Sequence, residues 1–187
     1  MFFMKCASQG SPSGGPIDES GPIVVSIVPA DSLVTGKESI IITFNEYIDQ
    51  SSVVSAITIN GKSEFNMKVR YNKIIISPFK NWDEINELYI SRNIRDYQNN
   101  IMDSPVFKIF NMKEAKIFNG EINGSLLNIM DNNIYEIGLY SVDNKKAEFF
   151  KKIEADKNGV FSFINIPNGE YRIGAIEGKI VDFKYDY

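Results

Sequence analysis

The sequence predicts an all-β protein: two tandem antiparallel β-sandwiches behind a disordered N-terminal tether. Three observations carry this. Short runs of β-branched and aromatic residues recur along the chain between Gly, Pro and Asn turns, and helical periodicity is hard to find. One stretch, residues 64–71, alternates apolar and polar without a break, the mark of a strand buried on one face. From Ala7 to Pro22 large apolar residues almost vanish and Gly, Ser and Pro dominate. Such a stretch buries too little surface to offset the entropy of ordering it.

Length and composition bound the rest. A chain of 187 residues suits one large domain or two small ones. With 20 basic and 24 acidic residues the net charge is −4, which argues against a nucleic-acid binder. There is no histidine, which removes Ser-His-Asp and Cys-His catalysis, HExxH peptidases and every His-ligated metal centre. A single cysteine removes internal disulfides, CxxC redox pairs and thiolate zinc sites. No apolar run is long enough to span a membrane as a helix.

Element by element, strands are expected at residues 23–28, 39–44, 56–59, 64–71, 73–77, 88–92 and 106–110. Within 64–71, Phe65, Met67, Val69 and Tyr71 share one face. Asn60-Gly61 suits a tight hairpin and Tyr71-Asn72-Lys73 a second short turn. Residues 81–87 read as a loop with a turn. After a charged stretch at 113–116 a new strand pattern starts at Ile117-Phe118-Asn119-Gly120. Residues 134–142 and 147–155 follow. Then comes Asp156-Lys157-Asn158-Gly159, a turn that aims Phe161 and Phe163 together into a core. Pro167-Asn168-Gly169 launches a last strand. The expected divisions are 1–21, a truncated signal with its lipidation site and linker; 22–112, the first sandwich; and 113–187, the second.

Three resemblances attach to particular residues. Met1-Phe2-Phe3-Met4-Lys5-Cys6 and the Gly/Ser/Pro spacer resemble the start of a bacterial lipoprotein, which implies a lipid on Cys6 and a membrane as partner. Gly14-Gly15-Pro16-Ile17-Asp18, Ile27-Val28-Pro29-Ala30, Ile42-Thr43-Phe44-Asn45-Glu46-Tyr47-Ile48-Asp49 and Ile74-Ile75-Ile76-Ser77-Pro78 resemble the SbsA-type bacterial Ig-like domain, over residues 14–110. The Gly-Gly-Pro after a cysteine resembles the lipoprotein branch of Bacteroidetes-type organisms. Asp156-Lys157-Asn158-Gly159-Val160-Phe161-Ser162-Phe163, then Pro167-Asn168-Gly169-Glu170-Tyr171, resembles the carboxypeptidase regulatory-like (transthyretin- or prealbumin-like) domain, over 115–187. That resemblance implies a seven-stranded sandwich with no catalytic residues.

Candidate chemistry is sparse. Glu46 and Asp49 are close enough in sequence for acid–base work or Ca²⁺, or equally for a turn or cap at a strand end. Counted as an EF-hand from Asp156, position six is Phe161 and position twelve is Pro167, so the spacing fails. Asp131-Asn132-Asn133 is oxygen-rich, as a metal site would be, but reads equally as an ordinary turn, and Asn123-Gly124-Ser125 is a glycosylation-type triplet that also reads as a turn. Trp82 and Tyr89 form a candidate ligand-stacking pair, with burial in the core as the alternative. No catalytic residue, metal or cofactor is expected. The expectation is a non-enzymatic lipoprotein of the cell envelope, in the outer membrane or at the cell surface. It would be a spacer or adhesion module with an envelope protein or polysaccharide as partner; a glycan- or peptide-binding module is the alternative.

Overall fold

The computed structural model describes residues 14–62, 64–130 and 132–180. Cys6 and Asp131 lie outside them. The first half carries β1 (Val24–Val28), β2 (Ile40–Phe44), α1 (Gln50–Val53), β3 (Ile57–Ile59), β4 (Phe65–Arg70), β5 (Lys73–Pro78), β6 (Ile85–Ile90) and β7 (Val106–Asn111). Two antiparallel sheets result, ordered β1-β2-β5-β4 and β3-β6-β7. Between them lie Ile40, Ile42 and Phe44 of β2, Ile74 and Ile76 of β5, Leu88 and Ile90 of β6 and Phe110 of β7, none more than 1% exposed. Each such side chain contributes on the order of 1.5–3 kcal/mol by leaving water.

Alternation in β4 turns Phe65, Met67 and Val69 toward this core and leaves Lys68 and Arg70 outside. Tyr71 breaks from the expected face: it sits in the two-residue turn to β5 at φ 55° and is 70% exposed. Asn60 and Gly61, at φ 51° and 71°, make the expected tight turn, with Ile59 and Lys62 exchanging backbone bonds of 2.8 and 2.9 Å. It does not close a hairpin between paired strands, because β3 pairs with β6 and β4 with β5. The chain changes sheets there.

Two boundaries differ from expectation. The strand expected at 88–92 is Ile85–Ile90, because Asn86 is buried inside it and breaks the apolar pattern. That amide bonds both the N–H and the C=O of Asp83. The tether expected through residue 21 is tied down from Asp18, whose carbonyl accepts from Asn100 Nδ2. Pro22 is buried, and a Cβ on Gly21 would meet the Ile101 carbonyl oxygen at 1.8 Å, so only glycine permits the approach.

The second half carries β8 (Gly120–Ser125), β9 (Tyr135–Asp143), β10 (Lys146–Glu154), β11 (Val160–Ile166) and β12 (Glu170–Glu177), in sheets β10-β9-β12 and β11-β8. The described residues form these five strands, where the resemblance implies seven. Phe161 and Phe163 enter the core together, 8% and 1% exposed, with ring centroids 6.0 Å apart. Their turn is set by Asp156, whose Oδ1 accepts from Asn158 N and Val160 N, and by Gly159 at φ 82°. Tyr171 donates its hydroxyl to the Pro167 carbonyl at 2.9 Å, fixing the last turn. Asn123-Gly124-Ser125 is no turn. It lies inside β8, where the Phe161 ring covers Gly124 and a Cβ would sit 2.4 Å from its Cζ.

The two apolar cores differ in size: 17 buried side chains in the first and 7 in the second, among the described residues. So small a core stabilises weakly by itself, and Tyr89, from the first half, packs against it.

Candidate functional site

The site grows from the period of two in β6. Leu88 and Ile90 point into the first core, so Tyr89 between them points out, toward the second half. Its hydroxyl accepts the backbone N–H of Glu154 at 2.8 Å. Just past the strand, Ser91 donates its hydroxyl to Glu154 Oε1 at 2.6 Å and Arg92 donates its backbone N–H to Oε2 at 2.8 Å. Glu154 is only 4% exposed. Burial raises its pKa, against the pull of the Ser91 and Arg92 donors. The Arg92 guanidinium, itself buried, goes to carbonyls: Nε to Met102 at 3.0 Å, and Nη1 to Asn133 and Ala155 at 3.4 and 3.5 Å. Burial lowers the Arg92 pKa, with Glu154 acting the other way. A buried carboxylate with two strong donors is thus shared between the halves.

A second bonded group lies beside it. Lys151 Nζ bonds both oxygens of Glu87 at 2.8 and 3.0 Å, and Asn165 Nδ2 reaches Glu87 Oε1 at 2.8 Å. Register explains how. The pairing of β10 shifts between Phe149 and Lys151, and that of β11 between Ile164 and Ile166. Asn165, at φ 58°, is the extra residue in β11. Such bulges re-aim side chains; here they send Lys151 and Asn165 toward the first half. Lys157 also pairs with Asp103 across the junction.

Along this seam runs a groove of about 750 Å³, lined by Tyr89, Phe107, Phe118, Phe150, Lys151 and Asn165 among others. Lys151 Nζ lies 5.5 Å from the centroids of both Phe107 and Phe150. A separate polar cleft of about 720 Å³ is lined by Arg92, Arg95, Asn100 and Lys157, residues of both halves.

The sequence-level candidates separate. Trp82 does not stand beside Tyr89 at the groove. It is 6% exposed within the first core and donates its indole N–H to the Glu38 carbonyl at 2.8 Å. Tyr89 lines the groove, but its hydroxyl is engaged. Glu46 and Asp49 do not act together. Asp49 caps α1, accepting from Ser51 N at 2.9 Å and Ser51 Oγ at 2.6 Å. Glu46 instead meets Asp18 and Asp96, whose carboxylate oxygens all lie within 4.8 Å of one another. Burial raises the Glu46 pKa, and the charges of Asp96 and Asp18 add to it. This trio is the arrangement among the described residues able to share a cation. Asp96 already accepts from Gln98 N, Asn100 N and Asn100 Nδ2 at 2.8 Å each. Sequence reading missed Asp18 and Asp96 because they stand 28 and 50 residues from Glu46, with no local spacing to signal them. It also missed Ser91, Arg92 and Glu154, which read as ordinary strand residues.

Residues 18–109 match the family model described as bacterial Ig-like domain. This region is a bacterial Ig-like domain. The Ig-like region begins at Asp18, where the chain becomes tied to the loop carrying Asn100. Among solved structures, native alpha-2-macroglobulin from Escherichia coli, spanning domains MG0-NIE-MG1, is similar at 10% identity and a TM-score of 0.38. The match covers 88% of this chain and 68% of that one. A similarity so distant carries neither fold nor function across. No curated protein matches the chain. An Ig-like domain points to a structural or interaction module, of a kind found in bacterial surface proteins. No helix among the described residues is long and apolar enough to cross a membrane.

Proposed function

We propose that this chain is a non-enzymatic lipoprotein of the bacterial cell envelope. In this reading a lipid on Cys6 holds it to the outer membrane or cell surface. The Ig-like domain and a following carboxypeptidase regulatory-like sandwich form a spacer that presents an interaction surface. The observation that carries it is the seam: Ser91, Arg92 and Tyr89 on one side hold Glu154 on the other through three bonds of 2.6–2.8 Å. Two sandwiches so joined behave as one rigid rod, and rigidity is what a spacer needs. Domain pairs without such a seam move relative to each other by default.

Two measurements test it. The intact mass of the native protein from the membrane fraction should match a chain beginning at acylated Cys6; an unmodified chain in the soluble fraction would remove the anchor. Small-angle scattering should fit a single arrangement of the two sandwiches, and a curve requiring an ensemble of orientations would remove the spacer. The groove at the seam favours a second reading, a glycan- or peptide-binding module, in which Tyr89 and its neighbours touch the ligand.

A further inference from the structure

We infer that the groove along β10 takes an extended, acidic peptide segment of a partner protein. This goes beyond the spacer reading, which stands or falls on the mass and scattering measurements alone.

The first argument is the backbone. Among the described residues β10 is an edge strand whose ladder partner is β9. Its other edge faces the groove, because the Glu154 N–H leaves the sheet there for the Tyr89 hydroxyl. An extended chain is the ligand whose own N–H and C=O groups match a strand edge. A cavity of about 750 Å³ is ample for a few residues of such a chain, within the usual range of ligand sites, roughly 300–1,000 Å³.

The second argument is charge. Glu87, Glu136 and Glu154 border the groove, and protein donors already supply all three. Glu87 has Lys151 and Asn165. Glu136 accepts from Lys152 Nζ at 2.7 Å and Ile180 N at 2.6 Å. Glu154 has Ser91 and Arg92 N. Lys62 and Lys179 also line the groove, are exposed, and form no ion pair among the described residues. The unspent charge of the groove is therefore positive, in a chain whose net charge is −4. An incoming carboxylate finds ammonium donors; an incoming cation finds every carboxylate taken.

The third argument is the lining. Phe107, Phe118 and Phe150 bring phenyl rings without a polar handle. They suit an aliphatic or aromatic side chain, whereas sugar hydroxyls placed against them would lose water without replacement.

The test is selection from a displayed random heptapeptide library on the full chain at low ionic strength, followed by titration of synthetic copies. Enriched peptides should pair at least one Asp or Glu with an apolar residue. Their affinity should fall about tenfold for the double variant Lys62→Glu/Lys179→Glu, whose sites are exposed. It should also fall for Phe118→Ser, at a position 40% exposed, with circular dichroism unchanged for both variants. No enrichment, enrichment without acidic residues, or equal affinity for the charge-reversed protein overturns the proposal. So does binding of an oligogalacturonate that the peptides fail to displace.

Discussion

Ser91→Ala removes one hydroxyl at the point where the two halves meet. That hydroxyl donates to Glu154 at 2.6 Å in a buried setting, and hydrogen bonds to charged groups contribute about 1.5–3 kcal/mol. The same oxygen accepts from Asn93 N at 3.1 Å and Asn93 Nδ2 at 2.9 Å, so the loss falls on three partners. For a chain of this size each kcal/mol is about 2–4 °C, so the melting temperature should drop by roughly 3–12 °C. Ser162→Ala is the matched control: its hydroxyl also donates to a glutamate, Glu121 at 3.1 Å, but in the open. Exposed substitutions of that kind fall within about 0.5 kcal/mol. Differential scanning calorimetry at neutral pH compares the two directly. Equal melting temperatures for both variants would refute the reasoning, since the buried setting and the two Asn93 bonds set Ser91 apart from Ser162.

Further outcomes rest on other features. Burial raises the Glu154 pKa above its ordinary value of 4.5, so between the unfolded and folded values the folded form binds more proton than the unfolded form. The resulting stability is fully present below the unfolded pKa and lost as pH rises through the raised folded value. Relative to Glu154→Gln, the parent should therefore gain stability on acidification from neutral pH toward that range; a difference independent of pH counts against it. Trp82→Ala should cost about 3–5 kcal/mol in urea unfolding, as for other large core side chains, and leave ligand retention at the groove unchanged in the folded fraction. Gly159→Ala places a Cβ at φ 82°, 2.7 Å from the Leu126 carbonyl oxygen. It should cost at least about 1 kcal/mol, read from the same unfolding curves.

Much of this fold is written in local pattern. Alternation at Phe65, Met67 and Val69 marks β4, and the Asp156–Gly159 turn aims Phe161 and Phe163 into one core, because both effects act over a few residues. Tyr89 between Leu88 and Ile90 is legible as pointing away from the first core. What it meets is not, because Glu154 lies 65 residues away. Asn60-Gly61 is legible as a turn, while the change of sheet that follows it depends on which strands offer themselves as partners.

By itself, then, the sequence determined the all-β class, most strand positions, several of the turns and the exclusion of histidine-based chemistry, since each follows from composition, from turn residues or from periods of two. Only the tertiary structure decided that Trp82 is core, that Asp49 is a cap, that Glu46 belongs with Asp18 and Asp96, and that Glu154 joins the halves. These are contacts between residues distant in the chain. Their energies come from burial and direction, which exist only once the strands have found their partners.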